Sequence, residues 1–207
     1  EGLQGQVLAE RYRVLGPLGE GAMGQVWRAK QLLLDRDVAL KVLHTQGPVQ
    51  SRARRRLHRE ARLVARISHP NVVQVFDYGE TDGGAPYLVM ELVDGCVATG
   101  RMAAARSVGE VVDAAACVLR ALEAAHERGV LHRDLKPANM MLRGDEPAAL
   151  VLLDFGIAAI LNEETSTEEE GAGPADSRLT REGAVVGTPL YMSPEQARGQ
   201  TATERSD

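Results

Sequence analysis

Short apolar runs separated by glycine and polar turns open the chain and predict strands. Arg11 to Leu18 and Gln25 to Ala29 form two such runs around a Gly-rich turn, and Asp37 to Leu43 forms a third. Three strands in succession imply an antiparallel start. From Ser51 to Ile67 the period changes. Leu57, Ala61, Val64 and Ile67 recur at helical spacing while seven arginines occupy the rest of the cylinder, so an amphipathic, strongly basic helix is expected. His69-Pro70-Asn71 breaks it. Val72 to Phe76 and Tyr87 to Val93 return to strand-like runs, separated by the turn sequence Thr81-Asp82-Gly83-Gly84. The first ~95 residues are therefore mostly sheet with one helix.

Beyond this point the pattern becomes helical. Ser107-x-x-Glu110 is a capping-box sequence leading into an Ala-, Val- and Leu-rich run to Arg128, which predicts a long, largely buried helix ended by Gly129. Short apolar runs and loops alternate from there to Phe155. Leu161 to Thr180 carries Glu163, Glu164, Glu168, Glu169, Glu170 and Asp176 among small polar residues and reads as a long mobile loop. With the arginines of Arg52 to Arg66 it reads either as a loop docked on the basic helix or as two solvated charge runs, the second favoured because exposed ion pairs are worth only about 0 to 1 kcal/mol. The sequence shows no internal repeat.

Composition narrows the class. The chain has 207 residues, slightly above the usual ~100 to 200 per domain, which suggests one large domain or two small lobes. At 44% hydrophobic and 26% charged it is an ordinary globular sequence, not a disordered or fibrous one. Only seven residues are aromatic and the net charge is −5, so neither nucleic acid nor an anionic membrane is an expected partner. Two cysteines, Cys96 and Cys117, make no disulfide scaffold, and a reduced, cytoplasmic setting is expected. The longest apolar run, Pro147 to Leu153, is far short of the ~20 residues of a membrane helix, and no signal-peptide pattern opens the chain. Its first residue is Glu, as expected of an excised piece, which leaves room for an anchor or targeting segment beyond it and a membrane-tethered parent protein.

Three stretches carry candidate chemistry. Gly19-Glu20-Gly21-Ala22-Met23-Gly24 is a G-x-G-x-x-G sequence, but it runs into strand-like Gln25 to Ala29, and the residue about twenty positions on is Lys41 instead of an acid. A dinucleotide site is thereby disfavoured; what the glycines supply is backbone that phosphates can approach closely. In Val38-Ala39-Leu40-Lys41, Ala39 and Lys41 share one face of a strand, fit to cover an adenine and pair with phosphates, although an edge strand with a solvated lysine gives the same pattern. The third is His132-Arg133-Asp134-Leu135-Lys136-Pro137-Ala138-Asn139, followed fifteen residues on by Asp154-Phe155-Gly156.

In this order the motifs resemble those of the eukaryotic-type serine/threonine protein kinases, and the chain is most similar to the bacterial members of that family. The resemblance runs from about Arg11 to Asp207. It implies an α+β, bilobal protein-kinase-like fold. Residues 1–95 would form a β-rich N-lobe and hinge with one regulatory helix, and residues 96–207 a mainly helical C-lobe that is incomplete here. It implies that Leu18, the loop Gly19 to Gly24 (with Glu20, Gly21, Ala22 and Met23) and Val26 cover ATP. Lys41 would hold the α and β phosphates and pair with Glu60. Adenine would lie between Ala39 and Val26 above and Met141 below, with hinge backbone from Glu91 and Val93 and Met90 as gatekeeper. Asp134 would take or orient the substrate hydroxyl proton, Lys136 would steady the transferred phosphoryl, and Asn139 and Asp154 would ligate Mg2+, or Mn2+ in its place. Lys136 and Thr188 are the Ser/Thr-kinase forms of their positions, so serine or threonine hydroxyls of proteins are the expected acceptors.

The same resemblance implies regulation and some departures. Arg133 marks the class switched by phosphorylation of the activation segment, Asp154 to Glu195, where a phosphate adds about −1.5 to −2 charge for an arginine to grip. Thr180 sits where bacterial relatives commonly carry a regulatory threonine, and self-association would serve phosphorylation in trans. Glu182 occupies their second common site and is expected to stand in partly for a phosphate. Cys96-Val97 follows the hinge where many kinases place a polar group for the ribose, and Ser193-Pro194-Glu195 replaces the commoner Ala-Pro-Glu. Arg205-Ser206-Asp207 resembles the start of the helix on which a kinase C-lobe is assembled, with Asp207 holding the backbone at His132 and Arg133. On this reading the piece alone exposes apolar surface and folds poorly or aggregates. The alternatives are a nucleotide-binding scaffold, which MgATP stabilises without phosphate moving, and an inert truncated fragment.

Overall fold

The computed structural model describes residues 2–21, 24–44, 51–99, 107–144, 149–155 and 189–207. They divide into two compact units, Glu1–Arg66 with Val73–Asp94, and Ile67–Val72 with Gly95–Asp207.

The first unit is built on a six-stranded sheet of β1 (Val7–Leu8), β2 (Tyr12–Gly21), β3 (Gly24–Gln31), β4 (Arg36–Leu43), β5 (Val75–Glu80) and β6 (Pro86–Glu91). Its spatial order is β1-β2-β3-β4-β6-β5 and every pairing is antiparallel. Residues opposed across an antiparallel pair project to the same face, so the register sorts the side chains. Tyr12, Val14, Trp27, Ala29, Val38, Leu40, Tyr87 and Val89 gather on one face as a buried cluster closed by Leu8. Val26, Ala39, Lys41, Leu88 and Met90 project from the other. The glycine-rich stretch lies largely inside the β2–β3 hairpin: β2 continues through Gly21 and β3 begins at Gly24. Gly24 is obligatory there, because at φ +154° a Cβ would stand 2.1 Å from the Val42 carbonyl oxygen.

The basic helix α1 (Ser51–Val64) forms as its periodicity predicts, with Leu57, Ala61 and Val64 buried and Arg54, Arg55, Arg56, Arg59 and Arg62 exposed. It packs against β5, where Arg54 pairs with Glu80 at 2.8 Å. The strand expected at Val72 to Phe76 starts three residues later. Asn71 and Val72 are held instead in the second unit: Asn71 Nδ2 donates to the Leu150 carbonyl at 2.6 Å, and the Leu152 amide donates to the Asn71 carbonyl at 2.8 Å.

The second unit contains α2 (Val108–His126) and a small antiparallel sheet of β7 (Gly95–Val97), β8 (Met140–Arg143) and β9 (Leu150–Leu152). Ser107 caps α2 by accepting from the Glu110 amide at 3.2 Å, and Gly129 turns the chain at φ +69°. The expectation of a largely buried helix is corrected. Ala114, Cys117, Val118, Ala121, Leu122 and Ala125 form one buried stripe, whereas Val108, Val111, Val112 and Leu119 are exposed. Small side chains on the buried stripe let α2 lie close against β9. Among the described residues no helix is long and apolar enough to cross a membrane.

Candidate active site

In the first unit the β2–β3 hairpin carries the glycines. Gly19 opposes Val26, Glu20 opposes Gln25 and Gly21 opposes Gly24; Gly19, Glu20 and Gly21 are exposed, as is Leu18. Nothing lies within 4 Å of where a Cβ would sit on Gly19 or Gly21, so that side of the ribbon is open. Ala22 and Met23, between them, lie outside the described residues. Val26 opposes Lys41 and Ala39 opposes Met90, which places the four on one face. Ala39 and Lys41 are each 6% exposed and Met90 7%, so Lys41 is an enclosed cation among apolar neighbours and not a solvated edge lysine. The Glu91 amide donates to the Gln74 carbonyl at 2.9 Å, and Val93 is buried. Glu60 is half-buried on α1.

In the second unit the segment 132–139 folds back on itself. Lys136 Nζ reaches Asp134 Oδ2 at 2.7 Å and Oδ1 at 3.0 Å. Asn139, on the short turn Pro137–Asn139, donates from Nδ2 to Asp134 Oδ2 at 2.9 Å and to the Asp134 carbonyl at 2.8 Å. The three residues the sequence singles out are thus one hydrogen-bonded cluster. Its frame is His132, fully buried, whose Nε2 donates to the Leu153 carbonyl at 2.8 Å and whose ring lies 4.8 Å from that of Phe155. Burial holds the His132 imidazole below its usual range, against the opposing pull of the Leu153 carbonyl. Arg133 and Asp154 both adopt left-handed backbone, φ +64° and +56°, a conformation that costs a non-glycine residue about 1 to 3 kcal/mol and needs external support.

Asp207 supplies part of that support, as its place in the sequence implies. Its carboxylate, 1% exposed, accepts from the His132 amide and from the Arg133 amide, each at 2.7 Å, and meets His126 Nε2 at 2.9 Å. Gln196 supplies more, donating from Nε2 to the Arg133 carbonyl at 2.7 Å. Glu195 accepts from the Ser206 hydroxyl, which holds its carboxyl below the ordinary carboxylate range.

Asn139 suits a magnesium ligand. Both its bonds to Asp134 run through the amide nitrogen, which turns the harder oxygen donor away from that contact. The Leu153 amide donates to the Asn139 carbonyl at 2.9 Å, which ties the residue before Asp154 to the same place. Among the described residues no cluster of three or more His, Cys, Asp or Glu side chains could hold a metal alone. A magnesium ion sharing its shell with phosphate oxygens and water fits such a sparse donor set.

Met141 lies on β8 between Val97 and Val151, half-buried. Thr180, Glu182 and Thr188 lie outside the described residues. Asn71, His126 and Gln196 were not singled out by the sequence. Their partners are 79, 81 and 63 positions away, and no local pattern reports such contacts.

The protein kinase domain family matches residues 12–207. The serine/threonine-protein kinase pkn3 of Myxococcus xanthus is 45% identical over 207 residues, covering 98% of this chain and 36% of that protein. The DNA damage-responsive serine/threonine-protein kinase RqkA of Deinococcus radiodurans is 42% identical, covering 98% of this chain and 29% of that protein. This chain therefore spans about a third of the length of the curated relatives it matches. The crystal structure of the Mycobacterium tuberculosis PknI kinase domain aligns over 100% of this chain and 72% of its own, with a TM-score of 0.73 at 33% identity. By motif order, fold and relatives, the chain belongs to the protein kinase domain family, among the eukaryotic-type serine/threonine kinases of bacteria.

Proposed function

We propose that the protein transfers the γ-phosphate of ATP to serine or threonine hydroxyls of proteins, its own activation segment included through encounters between copies, in the cytoplasm. The cluster of Asp134, Lys136 and Asn139 carries this reading.

The carboxylate of Asp134 takes the proton of the attacking hydroxyl as the hydroxyl oxygen bonds to the γ-phosphorus and the bond to ADP breaks. Lys136, held on Asp134, stands ready to neutralise charge on the transferring oxygens, and Asn139 holds the Asp134 carboxylate by donating to its Oδ2. Lys41 offers a second cation from a nearly buried position, where charge is weakly screened. Asn139 and Asp154 would hold magnesium, which when bound neutralises phosphate charge; Mn2+ would serve the same ligands. Ala39 and Val26 in the first unit, and Met141 in the second, would each offer apolar surface to an adenine, and Gly19 to Gly21 open backbone to the phosphates.

The test is intact mass after incubation with MgATP, beside Asp134→Asn. Added phosphates of about 80 Da on the wild type alone support the reading, since the variant loses only the proton acceptor. Stabilisation by MgATP with no phosphate moved on the wild type would overturn it in favour of a nucleotide-binding scaffold.

A further inference from the structure

We infer that Gln196 is a positioning residue for Asp134, acting through the backbone of Arg133; the inference rests on the kinase reading above. A peptide unit is planar, so fixing the Arg133 carbonyl fixes the plane whose nitrogen belongs to Asp134. That plane is gripped at its oxygen by Gln196 Nε2 at 2.7 Å and at its nitrogen by the longer bond from the Asp134 amide to His132 Nδ1, 3.4 Å. Asp207 grips the peptide on the other side of Arg133, at its amide. Between the two lies a left-handed, non-glycine residue whose own preference is to relax elsewhere. Gln196 holds the side of Arg133 that leads directly to Asp134.

The orientation of the Gln196 amide is fixed by its own surroundings. Its Oε1 accepts from the Ser193 amide at 3.0 Å and its backbone amide donates to Ser193 Oγ at 3.3 Å, a reciprocal cap on the short helix Pro194–Ala197. With the oxygen committed to Ser193, the nitrogen is the end that faces Arg133. No residue of that helix is buried, so the helix contributes little to the core. Gln196 is thus placed to affect turnover far more than stability.

Gln196→Glu separates these roles. A glutamate keeps an oxygen for the Ser193 amide but sets its second oxygen against the Arg133 carbonyl, while Gln196→Lys loses the cap and keeps a donor. Both are compared with the wild type at full natural length, using MgATP and a serine-containing protein acceptor, with turnover, KM for ATP and thermal midpoint measured. The expected result for Gln196→Glu is kcat lowered about tenfold or more, with KM for ATP within about twofold and the midpoint unchanged. Gln196→Lys is expected to keep most of the turnover. Turnover of Gln196→Glu within about twofold of wild type, equal losses in both variants, or failure of Gln196→Glu to fold would each overturn the inference. Asp134→Asn in the same assay tells its failure from failure of the kinase reading. If that variant turns over like the wild type, the site reading falls and this inference with it. If it is inactive while Gln196→Glu is unimpaired, the positioning role alone falls.

Discussion

His132 shows what a single side chain is asked to do. Its Nε2 donates to the Leu153 carbonyl while its Nδ1 accepts from the Asp134 amide, an arrangement available only to a neutral ring. Burial enforces that neutrality by holding its pKa down. In the unfolded chain the ring returns to its ordinary pKa of about 6.5, so below that pH the unfolded state binds a proton that the folded state refuses. The contribution to stability is complete above about pH 6.5 and is lost as the pH falls further. Melting curves from about pH 7.5 down to about pH 5 are expected to show a falling midpoint, with a shallower fall in His132→Phe. Lys136 acts on charge instead of fold: being held on Asp134 and only 18% exposed, it is needed where negative charge gathers. Lys136→Ala is expected to lower kcat about 10²- to 10³-fold in a steady-state assay while the melting midpoint stays in place.

At the scale of elements, the β2–β3 hairpin binds packing to chemistry. Its inner positions follow the two-residue period of a strand, so the alternation that buries Trp27 also turns Val26 to the face of Lys41. Gly24→Ala drives a Cβ into the Val42 carbonyl in a backbone region that alanine avoids, and is expected to cost about 2 kcal/mol or more in a urea titration. Most of these elements were legible in the sequence because their signals are local. The period of Leu57, Ala61 and Val64, the Ser107 cap and the Gly129 turn each involve residues within a few positions of one another. The 132–139 segment was legible because Asp134, Lys136 and Asn139 stand at a fixed local spacing that resembles a known motif, although Leu153, Gln196 and Asp207 frame it from far along the chain. The start of β5 was misplaced because Val72 looks like a residue of that strand but, with Asn71, pairs with a segment some eighty residues downstream. Gln196 and His126 escaped notice for that reason too. A glutamine or histidine in a helix gives no sign of a partner so remote in the chain.

Across the whole molecule, the last residue described secures the catalytic segment. Asp207 lies 75 and 74 positions from the two amides it accepts. Asp207→Ala leaves both N–H groups without their acceptor, at about 1 to 3 kcal/mol for each that stays buried. Chemical denaturation is expected to show that loss, and turnover is expected to fall with it, because the orphaned amides of His132 and Arg133 lead directly into Asp134. The interrupted course of the chain bears on its birth as well. Residues 67–72 belong to the second unit although the first unit's chain lies on both sides of them. Asn71 leaves the ribosome before α2, yet its partner at Leu150 follows 79 residues later. At typical elongation rates that is about 4 to 16 s in which Asn71 has no carbonyl to meet. No point along the nascent polypeptide therefore releases the first unit finished and the second one unstarted.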